Sequence, residues 1–177
     1  MAISYILGVP RSGKSYFAVY NIWKNFVFKE DKKSLSYKIS KLLGKTIHKN
    51  IDYEYCYTNI NKFDFSKSPK LKKFDKDDFY EKLQHLYNLK VIQKVDDDVL
   101  IEKSKEFNLH KVLIVIDEVH LVLGNKPDKV YVWWLTYHGH LYQDIILITQ
   151  NLKLVSSEYK KIAEFFYKAV QPDLRIS

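Results

Sequence analysis

Short apolar runs alternate along this chain with longer stretches in which apolar positions return every three or four residues. Val112 to Ile116 and Ile145 to Thr149 are five-residue runs rich in β-branched side chains, and Ile3 to Leu7 is a similar apolar stretch broken only by Ser4. Runs of this kind without polar alternation predict strands covered on both faces. Tyr55-Cys56-Tyr57-Thr58-Asn59 is a further candidate strand. Residues 16–28 are apolar on nearly all sides, through Phe17, Val19, Tyr20, Ile22, Trp23, Phe26 and Val27, and predict a well-buried first helix. Leu35, Ile39 and Leu42 predict a short amphipathic helix over residues 35–43, stopped by Gly44. Phe79, Leu83 and Leu86 predict another, with Asp75, Asp77 and Asp78 at its favourable N-terminal end. Tyr159, Ile162, Ala163, Phe166, Tyr167 and Val170 keep helical spacing and predict a packed helix near the end. Strands interleaved with helices place the chain in the α/β class with a mostly parallel sheet. The Lys/Asp-rich stretch at about 61–111 is less regular and reads as an insertion between strands of one domain, residues 1–177.

Composition narrows the setting. The chain has 177 residues, 46% of them hydrophobic, enough for one α/β domain with a core. Its single cysteine, Cys56, excludes an internal disulfide and fits a reducing compartment. No N-terminal signal pattern occurs, and no apolar run approaches the roughly 18–20 residues of a membrane helix. A soluble, cytoplasmic piece is the expectation. The net charge of +8 is confined to the first fifty residues, which hold ten Lys/Arg against two Asp/Glu, while residues 51–177 hold nineteen of each. The excess lies mainly in residues 24–49 and fits anionic lipid, a nucleic-acid backbone or a solvated helical face.

The chemistry is concentrated at the ends of the predicted strands. Gly8-Val9-Pro10-Arg11-Ser12-Gly13-Lys14-Ser15 spells G-x-x-x-x-G-K-[ST] between the first strand and the first helix, the setting a phosphate-binding loop needs. Two of only five glycines occupy the required positions. They let the backbone turn tightly and aim its N–H groups at an anion, to which the helix adds its positive dipole end. Lys14 is the candidate partner of the outer phosphates, Ser15 a candidate ligand of Mg²⁺, and Tyr16 the next residue in reach of the nucleotide. The bland alternative is a glycine-bearing turn before a core helix. Asp117-Glu118 closes the 112–116 strand, where open α/β sheets bind ligands. Asp117 is placed to hold Mg²⁺ directly or through water, and Glu118 to orient and deprotonate an attacking water. Gln150 ends the 145–149 strand as a candidate γ-phosphate sensor, water holder or simple turn cap. The pattern selects neither adenine nor guanine.

Two further motifs are weaker. Asn125-Lys126-Pro127-Asp128 matches the guanine-reading N-K-x-D, but it begins eight residues after Asp117, too soon for a helical crossover to another strand. A turn explains it better. His138 and His140 have no further Cys/His spacing to complete a zinc site.

From Val112 to about Ala169 the order of motifs resembles the zonula occludens toxin (Zot) family, which includes filamentous-phage assembly ATPases. The matching segments are Ile116-Asp117-Glu118, His138-Gly139-His140 and Asp144-Ile145-Ile146-Leu147-Ile148-Thr149-Gln150, with the N-terminal loop and Thr58-Asn59 in agreement. The resemblance implies a P-loop three-layer α/β sandwich of the additional-strand class, related to hexameric DNA-pumping motors. In that class the Gln150 strand lies between the phosphate loop and the acidic motif. It also implies ATP and Mg²⁺ as ligands, a homo-oligomeric ring, and phage DNA or coat as cargo. The domain would stand on the cytoplasmic side of a bacterial inner membrane, ahead of a membrane helix and a periplasmic region placed beyond Ser177. One departure stands out: the central arginine of the family's H-R-H segment is Gly139, and Arg11 and Arg175 are the only arginines. A trans-acting arginine contributes about 10³–10⁵ in rate, so turnover by the isolated chain is expected to be weak. A nucleoside or nucleotide kinase remains an alternative, although such enzymes clamp phosphates with several arginines. A non-hydrolysing, nucleotide-gated interaction or toxin module is the other.

Overall fold

A computed structural model describes residues 1–27 and 52–169. The expected helix over residues 35–43 and most of the basic stretch 24–49 lie outside the described residues. Strand β1 (Ile3–Leu7) leads through the glycine loop to helix α1 (Lys14–Phe26). Then come β2 (Tyr55–Thr58), β3 (Leu71–Lys73), α2 (Lys76–Tyr87), α3 (Asp97–Glu106) and β4 (Val112–Ile116). The chain continues with α4 (His120–Leu123), α5 (Lys129–Tyr137), β5 (Asp144–Thr149), α6 (Ser157–Ile162) and β6 (Phe165–Lys168). The six strands form one sheet in the order β3-β2-β4-β5-β1-β6, and every pairing is parallel.

The unbroken apolar run of β4 is explained by two cores. Val112, Ile114 and Ile116 join Ile3, Tyr5, Ile145 and Leu147 on one face, against Leu83, Leu100 and Trp134 of the helices. Leu113 and Val115 join Ile6, Cys56 and Ile148 on the other, against Ala18 and Ile22 of α1. Successive strand residues point to opposite faces, so a strand with helices on both sides has no position to give to water. Cys56 is fully buried, and burial pushes its thiol pKa up. The buried Trp134 indole donates to Gln143 Oε1 at 2.7 Å, satisfying the polar atom of the largest core side chain.

Three expectations need correction. Residues 61–111 are not irregular: they contain β3, paired parallel to β2, and two capped or charged-end helices. Asp75 caps α2 by accepting from the N–H groups of Asp77 and Asp78, at 3.0 and 3.1 Å, and Phe79, Leu83 and Leu86 form its buried stripe as expected. The aromatic stripe from Tyr159 onward is helical only to Ile162. The chain then extends, and Phe165–Lys168 pairs with β1, with Phe166 stacked on Tyr5 at a ring-centroid distance of 5.3 Å. Pairing the free edge of β1 satisfies its backbone groups, which local helical spacing cannot foresee. Finally, α1 is not buried all round: a helix lying on one sheet face buries one stripe, and Tyr16, Phe17 and Tyr20 stay exposed.

Candidate nucleotide-binding site

The parallel sheet gathers the candidate residues at one end. With β5 between β1 and β4, the loop after β1, the Asp117-Glu118 turn after β4 and Gln150 after β5 are consecutive along the C-terminal edge. Ser15 Oγ donates to Asp117 Oδ2 at 3.1 Å, across 102 positions of sequence. Gln150 Nε2 donates to Glu118 Oε1 at 2.7 Å.

The loop is shaped by close approach. A Cβ on Gly8 would meet Ser12 Oγ at 2.5 Å and the Ala169 carbonyl at 2.9 Å. Gly13 stands at φ +88°, in the left-handed region, where glycine pays no steric penalty, and opens α1 without a side-chain cap. The first-turn N–H groups therefore lack the side-chain acceptor that most helices supply. Lys14 is buried, and its Nζ donates to the carbonyls of Gly8 and Val9 at 2.7 and 2.8 Å. Ser12 Oγ is buried with no hydrogen-bond partner among the described residues. An uncapped 13-residue helix, an orphaned hydroxyl and a buried ammonium within one loop suit a bound polyphosphate. Gly8→Ala is expected to destabilise the fold by about 1–3 kcal/mol through overpacking. The denaturant midpoint reads this directly; an unchanged midpoint would mean the loop has slack.

The donor set beside the loop is all oxygen: Ser15 Oγ and the Asp117 carboxylate. That suits Mg²⁺, a hard ion held through one or two protein oxygens and completed by phosphate and water. No group of three or more His, Cys, Asp or Glu among the described residues could hold a metal by itself, so the ion would need the phosphates.

The roles of two residues escaped sequence reasoning. Asn59, just past β2, accepts from the Asp117 N–H at 2.6 Å and donates to the Asp117 carbonyl at 2.9 Å, clamping the acidic turn to the neighbouring strand. A lone Asn after a strand reads as a turn residue, so its chemistry carries no separate signal. His120 stands 3.4 Å from Glu118 Oε2. By contrast, His138-Gly139-His140 precedes β5 and lies at the opposite end of the parallel sheet. His138 Nδ1 contacts the Leu135 carbonyl at 2.7 Å, and His140 stacks on Tyr137. Asp128 of the N-K-x-D match caps α5 through the N–H groups of Val130 and Tyr131, a structural turn as expected.

The family model for zonular occludens toxin (Zot) matches residues 2–173. The chain belongs to the Zot family. No curated protein matches it. Among solved structures, this Zot-family chain is similar to the N-terminal domain of zonular occludens toxin from Neisseria meningitidis, with a TM-score of 0.56 and 19% identity over 98% of this chain and 79% of that one. It is also similar to the genome packaging NTPase B204 from Sulfolobus turreted icosahedral virus 2. The sulfate complex gives a TM-score of 0.53 and 17% identity, covering 97% of this chain and 76% of that one. The AMPPCP complex gives 0.52 and 18%, covering 97% and 77%. At these identities the likeness carries the fold, an α/β sheet of the P-loop type. No helix among the described residues is long and apolar enough to cross a membrane.

Proposed function

We propose that this Zot-family chain binds ATP in the loop from Gly8 to Tyr16 and hydrolyses it. The observation that carries the reading is the Ser15–Asp117 contact, which puts the loop and the acidic turn around one point. In this reading the loop N–H groups and Lys14 hold the outer phosphates, and Ser15 and Asp117 take Mg²⁺. The ion, when bound, neutralises charge on the phosphate oxygens. Glu118 orients the attacking water and takes its proton, while Gln150, bonded to the Glu118 carboxylate, reports the γ-phosphate to it. The packaging NTPase with a related fold was solved in complex with AMPPCP and with sulfate, which supports a nucleotide as the ligand of this chain.

The cellular role we infer is export of phage DNA and coat by a membrane-anchored homo-oligomeric ring on the cytoplasmic side of a bacterial inner membrane, with the basic stretch 24–49 facing nucleic acid or anionic lipid. Its support is family membership and the charge asymmetry of the chain. The test is phosphate release from Mg-ATP by the purified chain, followed against protein concentration. Slow turnover that rises with concentration is expected, because Gly139 stands where the family's central arginine would be and a partner must supply charge. Brisk turnover at high dilution would contradict the ring; binding of ATP without any release would contradict hydrolysis.

A further inference from the structure

His120 opens α4 two residues after Glu118. Its Nδ1 is buried, lies 3.4 Å from Glu118 Oε2, and has no hydrogen-bond partner among the described residues. The other oxygen of the same carboxylate already accepts from Gln150 Nε2. Glu118 is thus approached from both sides, by the end of β5 and by the first residue of α4.

The backbone beneath it is fixed independently. Glu118 sits at φ +47°, a left-handed conformation rare for a residue with a long side chain. The Val119 N–H donates to the Ile148 carbonyl at 3.0 Å and the Leu121 N–H to the Glu118 carbonyl at 2.9 Å, which ties the turn to β5 and to α4. These bonds aim the Cα–Cβ vector but leave the side-chain torsions free. A carboxylate that must present one lone pair to water therefore needs restraint at its own oxygens.

We infer that His120 is a positioning residue for Glu118. With its proton on Nδ1, the ring donates to Glu118 Oε2; Gln150 donates to Oε1. The two donors set the plane of the carboxylate and leave its remaining lone pairs for the water. A spacing of 3.4 Å is of the kind that tightens when substrate closes a site. The role rests on the hydrolytic reading above. A core-packing role is a poorer fit, because the side chain is 24% exposed and its buried nitrogen faces a carboxylate.

The test uses the whole chain as wild type, His120→Ala, His120→Asn and Glu118→Gln. ATP affinity is measured for each, then single-turnover hydrolysis with protein in excess. The Asn amide nitrogen falls near the place of imidazole Nδ1 and keeps a donor there. His120→Ala is expected to slow hydrolysis by about 10- to 100-fold with ATP affinity and melting temperature unchanged. His120→Asn is expected to recover most of the loss. Hydrolysis by His120→Ala at the wild-type rate would overturn the role, as would a His120→Asn variant no faster than His120→Ala. If the wild type outpaces Glu118→Gln while His120→Ala matches the wild type, His120 alone loses its place. If the wild type is no faster than Glu118→Gln, the hydrolytic reading falls and this role falls with it.

Discussion

Lys14→Met is expected to weaken ATP binding by about 30- to 1,000-fold while leaving the fold in place. The estimate follows from charge. A unit positive charge about 4 Å from a phosphate oxygen contributes up to roughly 4 kcal/mol at an effective dielectric near 20, and each 1.4 kcal/mol is tenfold in affinity. Part of that is offset, because Lys14 Nζ already donates to the Gly8 and Val9 carbonyls and reorganises to meet a ligand. Methionine keeps the length and apolar stem of the side chain, so the buried site is refilled and the change is mainly one of charge. Thermal unfolding with and without Mg-ATP provides the check. Ligand at 100 times its dissociation constant stabilises a native protein by about 2.7 kcal/mol. The wild type should show that shift, and Lys14→Met little of it at the same concentration. Equal shifts would mean that the loop's lysine holds no phosphate.

What the sequence revealed and what it hid divide along the range of the interactions. The phosphate loop, the two long strands and the Asp75-capped helix were legible because each signal lies within about a dozen neighbouring residues. The position of β5 between β1 and β4 was legible only through family resemblance, and it brings Gln150 to Glu118. β3 was hidden because Leu71-Lys72-Lys73 is short and its lysines mask any period. On the sheet edge those lysines are at home, since charge there discourages further pairing. β6 was misread because Phe166 and Tyr167 continue a helical spacing, while what decides their state is the unpaired edge of β1, about 160 residues upstream. Aromatic residues favour strands once a partner exists, and tertiary pairing overrode the local pattern. Asn59 and His120 are a related case. Each acts through one neighbour brought by the fold, Asn59 on the Asp117 backbone and His120 beside the Glu118 carboxylate. A single polar residue with one distant partner leaves no periodic trace.

Glu118→Gln separates binding from chemistry. The substitution is nearly isosteric, and its amide oxygen still accepts from Gln150 Nε2, so the left-handed turn and its contact with β5 should persist. What disappears is the acceptor of the water's proton. Loss of a positioned general base costs typically 10²–10⁴ in turnover, which is the expected fall in the rate of phosphate release. Affinity for Mg-ATP should hold or rise, because one negative charge is removed from beside a polyphosphate. That sign is the discriminating feature. A metal-binding carboxylate behaves in the opposite way: Asp117→Asn removes an oxygen from the Ser15 pair and should weaken Mg-ATP binding itself. Equilibrium binding and single-turnover hydrolysis on the two variants therefore distinguish neighbours one residue apart. Wild-type turnover in Glu118→Gln would transfer the proton-accepting role elsewhere. A loss of affinity there as large as in Asp117→Asn would make Glu118 a ligand of the ion, and would leave the attacking water without a base in the turn after β4.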